Sequence, residues 1–78
     1  MQSYTENKEL TPRETEVFRL LACFFENKEI AKILNCSVAT VKMHVASILQ
    51  KMNVTSRAQA VIMGLKTGII NLDDVRVR

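Results

Sequence analysis

An all-α domain of four helices, with a helix-turn-helix at its centre, is the fold this sequence predicts. Three observations carry that prediction. Residues suited to starting helices recur at Thr11, Asn27, Ser37 and Ser56. Apolar residues between those starts recur at helical rather than strand spacing. Only Asn35 and Cys36 separate the end of the second helix from the cap of the third, and so short a connection makes two helices cross steeply instead of lying antiparallel. The chain has 78 residues, of which 47% are hydrophobic and 5% aromatic, with no Trp. That is enough for one domain with a core of Leu, Ile, Val, Met and Ala.

The first helix is expected over 12–23. Thr11 caps it, Pro12 takes the first helical position where no N–H is missed, and Glu14 completes a capping box. Val17, Leu20, Leu21 and Phe24 then share one face. Asn27 is the expected cap of a short second helix over 28–34, with Ile30, Ala31 and Leu34 on one side. Ser37 offers its hydroxyl to the free N–H groups of a third helix over 38–52, which Asn53 can end in a left-handed conformation. Ser56 and Gln59 form another capping box for a fourth helix over 57–66, stopped by Gly68. The domain is thus placed at 10–69. A flexible N-terminal segment is expected over 1–9, and a loosely held extension without chemistry over 70–78.

Charge is distributed unevenly. Residues 1–27 carry three basic and five acidic groups, whereas 28–57 carry Lys28, Lys32, Lys42, Lys51 and Arg57 against the single acid Glu29. A basic middle third suits a nucleic-acid partner, although lysines also serve simply to solvate a surface. Cys23 and Cys36 lack the close pairing of a zinc site, so with His44 they make a weak metal set, and reduced thiols in a cytoplasmic protein are the expectation. No apolar run approaches the roughly 20 residues needed to span a bilayer. One His, no evident nucleophile–base pair and no phosphate loop argue against an enzyme, and no cofactor is called for.

At about 100° per residue the third helix divides into two unlike faces. Val41, Val45, Ile48, Leu49 and Met52 form the side expected to be buried. Opposite them lie Ala39, Met43, Ala46, Ser47 and Gln50, flanked by Thr40 and Lys42. A face so free of charge suits close approach to another surface. The DNA major groove admits one α-helix, and thymine methyl groups accept contacts from Ala, Thr or Met. Lys42 is the leading phosphate anchor, with Lys28, Lys51 and Arg57 for flanking phosphates, and helix starts near Asn27 and Ser37 offer backbone N–H groups. His44 lies at the boundary of the two faces, either as a packed side chain or as a phosphate contact. Gln50 can pair with adenine, though it sits more than three turns along the helix.

The runs LTPRETEVFRLLA, NKEIAKIL, SVATVKMHVASILQKM and SRAQAV, in that order over Leu10 to about Ile69, resemble the DNA-binding domain of the LuxR type, shared with the NarL and FixJ response regulators. The resemblance implies a four-helix domain that binds double-stranded DNA as a dimer, with the third helix in the major groove and the fourth helices paired. It carries Lys42 and Met43 over as readers. Some members have a base-contacting lysine where this chain has Ala46, so target sequences do not carry over. Phe24 stands where a small turn residue is common, and Asn35 where glycine is common.

The fourth helix presents Ala58, Val61, Ile62 and Leu65 as its expected core face. Ala60, Met63 and Gly64 on the other side are small enough for two helices to approach, and are the expected homodimer contacts. The function expected is a sequence-specific transcription regulator, with RNA polymerase or a larger regulator as a further partner. The competing reading is a protein-interaction module that pairs with a larger regulator and modulates it. It rests on the short length and the lack of a sensory domain in the sequence.

Overall fold

The free N–H groups at each helix start find the partners that the capping residues suggest, with two exceptions. The cap of the second helix shifts by one residue, and at the fourth Gln59 Oε1 accepts from Thr55 N–H, so the expected Ser56–Gln59 box is only half formed. The computed structural model describes residues 9–76, which form α1 (Pro12–Ala22), α2 (Asn27–Leu34), α3 (Val38–Met52) and α4 (Arg57–Thr67), then a 3-10 turn at Leu72–Asp74. The expected flexible segment 1–9 lies outside the described residues except for Glu9. Glu14 N–H donates to Thr11 Oγ1 at 3.0 Å while Thr11 N–H donates to the Glu14 carboxylate at 2.9 Å. Ser37 Oγ accepts from Thr40 N–H at 3.0 Å, and Ser56 Oγ from Gln59 N–H at 3.2 Å. At α2 the capping position belongs to Glu26, not Asn27, and its N–H donates to Glu29 at 2.8 Å. Asn27 is used otherwise: its Oδ1 accepts from the Arg57 guanidinium.

Left-handed residues close the helices. Asn35 (φ 57°), Asn53 (φ 58°) and Gly68 (φ 83°) end α2, α3 and α4, as the sequence leads one to expect. Phe24 is the exception, with φ 64° in the α1–α2 turn and a ring 52% exposed. A residue with a Cβ is strained in that region by roughly 1 kcal/mol.

Helix α3 touches each of the other three helices and forms the spine of the core. Val41, Val45 and Ile48 are buried against Val17, Phe18, Leu21 and Ala22 of α1 and Ile30 and Ala31 of α2, with Leu49 and Met52 half-buried alongside. Helix α4 is rotated from the sequence expectation. Ala60 and Gly64 face inward and are buried, Met63 is half-buried, while Ala58 and Ile62 are exposed. The reason is Phe18: a Cβ at Gly64 would stand 2.5 Å from its ring. The small residues thus serve approach within the chain, and Ala60 and Gly64 are withdrawn from any surface.

The extension after α4 is docked, not loose. Gly68 turns the chain so that Ile70 enters the core at 2% exposure, its N–H donating to Gly64 O at 3.3 Å. Val75 packs on the same core. Cys23 Sγ donates to Asp74 O at 3.6 Å, and Arg19 lies 3.9 Å from the Asp74 carboxylate.

Glu14 is a buried acid, 5% exposed, at the junction of α1 and α3. Burial alone would push its carboxyl pKa up. The hydrogen bonds from Lys51 Nζ (2.8 Å), Ser47 Oγ (2.6 Å) and Thr11 N–H (2.9 Å), with the Lys51 charge, outweigh burial and hold it at about 2 against an ordinary 4.5. Arg13 makes a second tie, donating to Leu34 O at 3.1 Å and so satisfying the end of α2.

Two outcomes are expected. Because the folded Glu14 pKa lies below the unfolded one, its stabilisation is complete above about pH 4.5 and is lost as pH falls towards 2. Urea unfolding across that window should show a loss on the order of 2 kcal/mol that Glu14→Gln flattens; a parallel pH dependence in the variant would contradict the assignment. Phe24→Gly should raise unfolding stability by about 1 kcal/mol, measured by thermal denaturation, and a loss of stability would show that the ring contributes more than the backbone strain costs.

Candidate nucleic-acid interface

The inward stripe of α3 sets what its opposite side presents. With Val41, Val45 and Ile48 buried, Ala39, Lys42, Met43, Ala46 and Gln50 point to solvent, and Met43 is 70% exposed. A large apolar side chain left so exposed among small uncharged neighbours is unusual on a helix that only needs to stay hydrated. Ser37 and Val38, also exposed, put the start of the helix at the same surface. The Ser37 hydroxyl accepts from Thr40 N–H and donates to Thr40 Oγ1 at 2.9 Å, so the two side chains fix each other at the N-terminal edge of this face. Half-buried Thr40 and His44 border it.

Structure and sequence part company at Ser47, Lys51 and Arg57. Ser47 is half-buried and donates to Glu14 Oε2 at 2.6 Å, so its hydroxyl is turned from the outer face. The Lys51 ammonium lies 2.8 Å from Glu14 Oε1 and 3.3 Å from Glu9 O. A base-reading role for Ser47 and a phosphate-anchoring role for Lys51 therefore compete with a buried carboxylate, a far stronger local partner than a solvated phosphate. The Arg57 guanidinium donates to Phe25 O at 3.5 Å and to Asn27 Oδ1, bracing the α1–α2 turn against α4. Lys28 and Lys42 stay exposed. Lys28 and Lys32 line an open groove on α2 that reaches Cys36 in the α2–α3 turn.

Glu14 is the residue that sequence reasoning missed here. The capping box identified it as a helix-start acid, but its spacing of three, four and seven residues to Val17, Phe18 and Leu21 also places it on the buried face, and that signal was present in the sequence. Cys23, Cys36 and His44 are not brought together: among the described residues no group of three such side chains is placed to hold a metal ion. Nor is any described helix long and apolar enough to cross a membrane.

Known proteins match both the sequence and this geometry. Residues 8–64 match the model of the luxR family of bacterial regulatory proteins. The chain is 46% identical over 63 residues to the transcriptional regulatory protein DegU of Brevibacillus brevis, covering 81% of this chain and 27% of DegU. It thus spans about a quarter of the length of the regulator it matches. Among solved structures it is similar to transcription factor GerE, with a TM-score of 0.77 and 37% identity over 87% of this chain and 100% of GerE. It is also similar to Vibrio cholerae VqmA, a LuxR-type receptor solved as a dimer without its target DNA, with a TM-score of 0.77 and 29% identity over 90% of this chain and 33% of VqmA. With the family model spanning most of the chain and the four-helix geometry shared, this chain belongs to the luxR family of bacterial regulatory proteins, as a helix-turn-helix domain of its transcription regulators.

Proposed function

We propose that this domain binds double-stranded DNA sequence-specifically as a dimer, laying α3 in the major groove of each half-site, and so regulates transcription. The observation that carries the reading is the outer face of α3, where 70%-exposed Met43 stands among Ala39, Ala46 and Gln50. Small and apolar side chains allow the helix to enter the groove and meet thymine methyl groups, and Gln50 adds a paired donor and acceptor for adenine. Lys42 on the flank and Lys28 on α2 hold the phosphates on either side, and the free N–H groups about Ser37 and Val38 add an anion-binding helix end. Thr40 and His44 complete the edge of the footprint. Ser47 and Lys51 hold α3 from behind through Glu14, while Arg57 braces the α1–α2 turn against α4. DegU, named as a transcriptional regulatory protein, and VqmA, named with a target DNA, favour the same reading.

Pairing runs through α4, but by the face the fold leaves open. Ala60 and Gly64 are buried, so the contact surface is the stripe of Ala58, Ile62 and Lys66, with Met63 at its margin. Ile62, 58% exposed, is its apolar centre. A two-fold dimer built there matches two symmetric half-sites.

Two measurements test these statements. Lys42→Ala should weaken binding to every sequence and reduce the slope of log affinity against log salt by about 0.9. Fluorescence anisotropy on DNA selected from a random pool reads both, and an unchanged slope would mean that α3 docks by another face. Ile62→Glu should convert the chain to monomer in sedimentation equilibrium and reduce affinity for two half-sites far more than for one. An unaltered dimer would remove α4 from the interface.

A further inference from the structure

Phe24 combines a strained backbone with a half-exposed aromatic side chain. Its backbone holds φ 64°, where glycine would be unstrained, yet its ring is 52% exposed. Outliers of this kind persist where the surrounding structure over-determines them, and they cluster at functional surfaces. The ring lines an apolar cavity with Leu21, Phe25, Ala58 and Val61, between the α1–α2 turn and the first turn of α4, and Glu26 and Arg57 stand at its rim. The cavity opens onto the outer stripe of α4 at Ala58, from which exposed Ile62 and Lys66 follow at successive four-residue steps.

Ile62 is the middle residue of α4, so a two-fold axis that crosses the helix at Ile62, perpendicular to it, defines one antiparallel register. In that register Lys66 of one copy would lie opposite Ala58 of the other, about 6 Å from the axis on each side. A lysine there lays its aliphatic stem over Ala58. Its ammonium then reaches the negative face of the Phe24 ring and the carboxylate of Glu26. Arg57 does not occupy that place, because its guanidinium is turned inward to Phe25 O and Asn27 Oδ1.

We propose that a second copy of this chain seats its Lys66 against Phe24 and Glu26, so that the dimer interface continues from α4 onto the α1–α2 turn at both ends. Phe24 is then an interface residue kept at the expense of monomer stability. The inference rests on the α4 pairing above and specifies its register and its outer contacts.

Sedimentation equilibrium of the 78-residue chain, up to about 1 mM, tests it with five variants: Ile62→Glu, Phe24→Gly, Glu26→Lys, Lys66→Glu and the double charge exchange. Phe24→Gly should weaken the dimer about five-fold or more, the loss of roughly 1 kcal/mol of aromatic contact, while the same sample melts at a higher temperature. Each single charge reversal should weaken the dimer by a few fold, and the double exchange should recover most of the loss. If Ile62→Glu dissociates the dimer while Phe24→Gly and both reversals leave its constant unchanged, the register is wrong although the α4 pairing stands. Charge reversals that weaken the dimer without recovery in the double exchange would likewise reject the Glu26–Lys66 contact. A wild-type chain that stays monomeric, or an Ile62→Glu dimer, would overturn the pairing itself and this inference with it.

Discussion

A buried carboxylate joins the helix that starts the domain to the helix that faces outward from it. Glu14 is at once part of the cap of α1 and the acceptor for two side chains of α3, Ser47 and Lys51, four residues and one helical turn apart. Two attachment points on one helix resist both its rotation about its axis and its sliding along it. Apolar packing of Val41, Val45 and Ile48 says which side of α3 goes inward; the directional bonds to Glu14 narrow the angle at which it does so. The exposure of Met43 and Ala46 follows from that setting. Removing a buried carboxylate's partner is costly in a way that losing a surface ion pair is not, so the arrangement also explains why Ser47 and Lys51 are occupied within the fold.

The connections are as informative as the helices. Asn35 and Asn53 adopt the left-handed conformation at moderate cost, because short polar side chains tolerate it. Gly68 adopts it freely and thereby aims Ile70 at the core. Phe24 is at the same conformation with the wrong chemistry for it, on the side of the molecule where Ala58 and Ile62 of α4 are also exposed. Strain and exposed apolar surface coincide there. The domain thus exposes apolar side chains both at Met43 on α3 and at Phe24 with Ile62 of α4.

Packing in α4 shows how a small residue can be misread. Alanine and glycine carry little hydrophobic signal, so a helix wheel assigns them to the outside when larger aliphatic residues are available for the inside. Phe18 reverses that assignment, since its ring occupies the space where a side chain at Gly64 would stand. Ile62 is displaced to solvent as a result. The same closeness lets Ile70 reach the core, and Asp74 ties the segment to Arg19 and Cys23 at the end of α1, where composition alone suggested a free tail.

The four helices, their order, their caps at Thr11, Ser37 and Ser56, the left-handed stops and the two faces of α3 are all legible in the amino-acid order. Those depend on interactions between residues a few positions apart, and α3 has enough contrast between aliphatic and small residues for its inward side to be legible. The partners of Glu14, the use of Arg57 and Asn27 as a brace, the inward turn of Ala60 and Gly64, and the docking of residues 70–76 emerge from packing in three dimensions. Each of these joins residues 30 or more positions apart, or depends on the shape of a neighbouring ring, and local periodicity holds no record of which distant side chain will fill a given space.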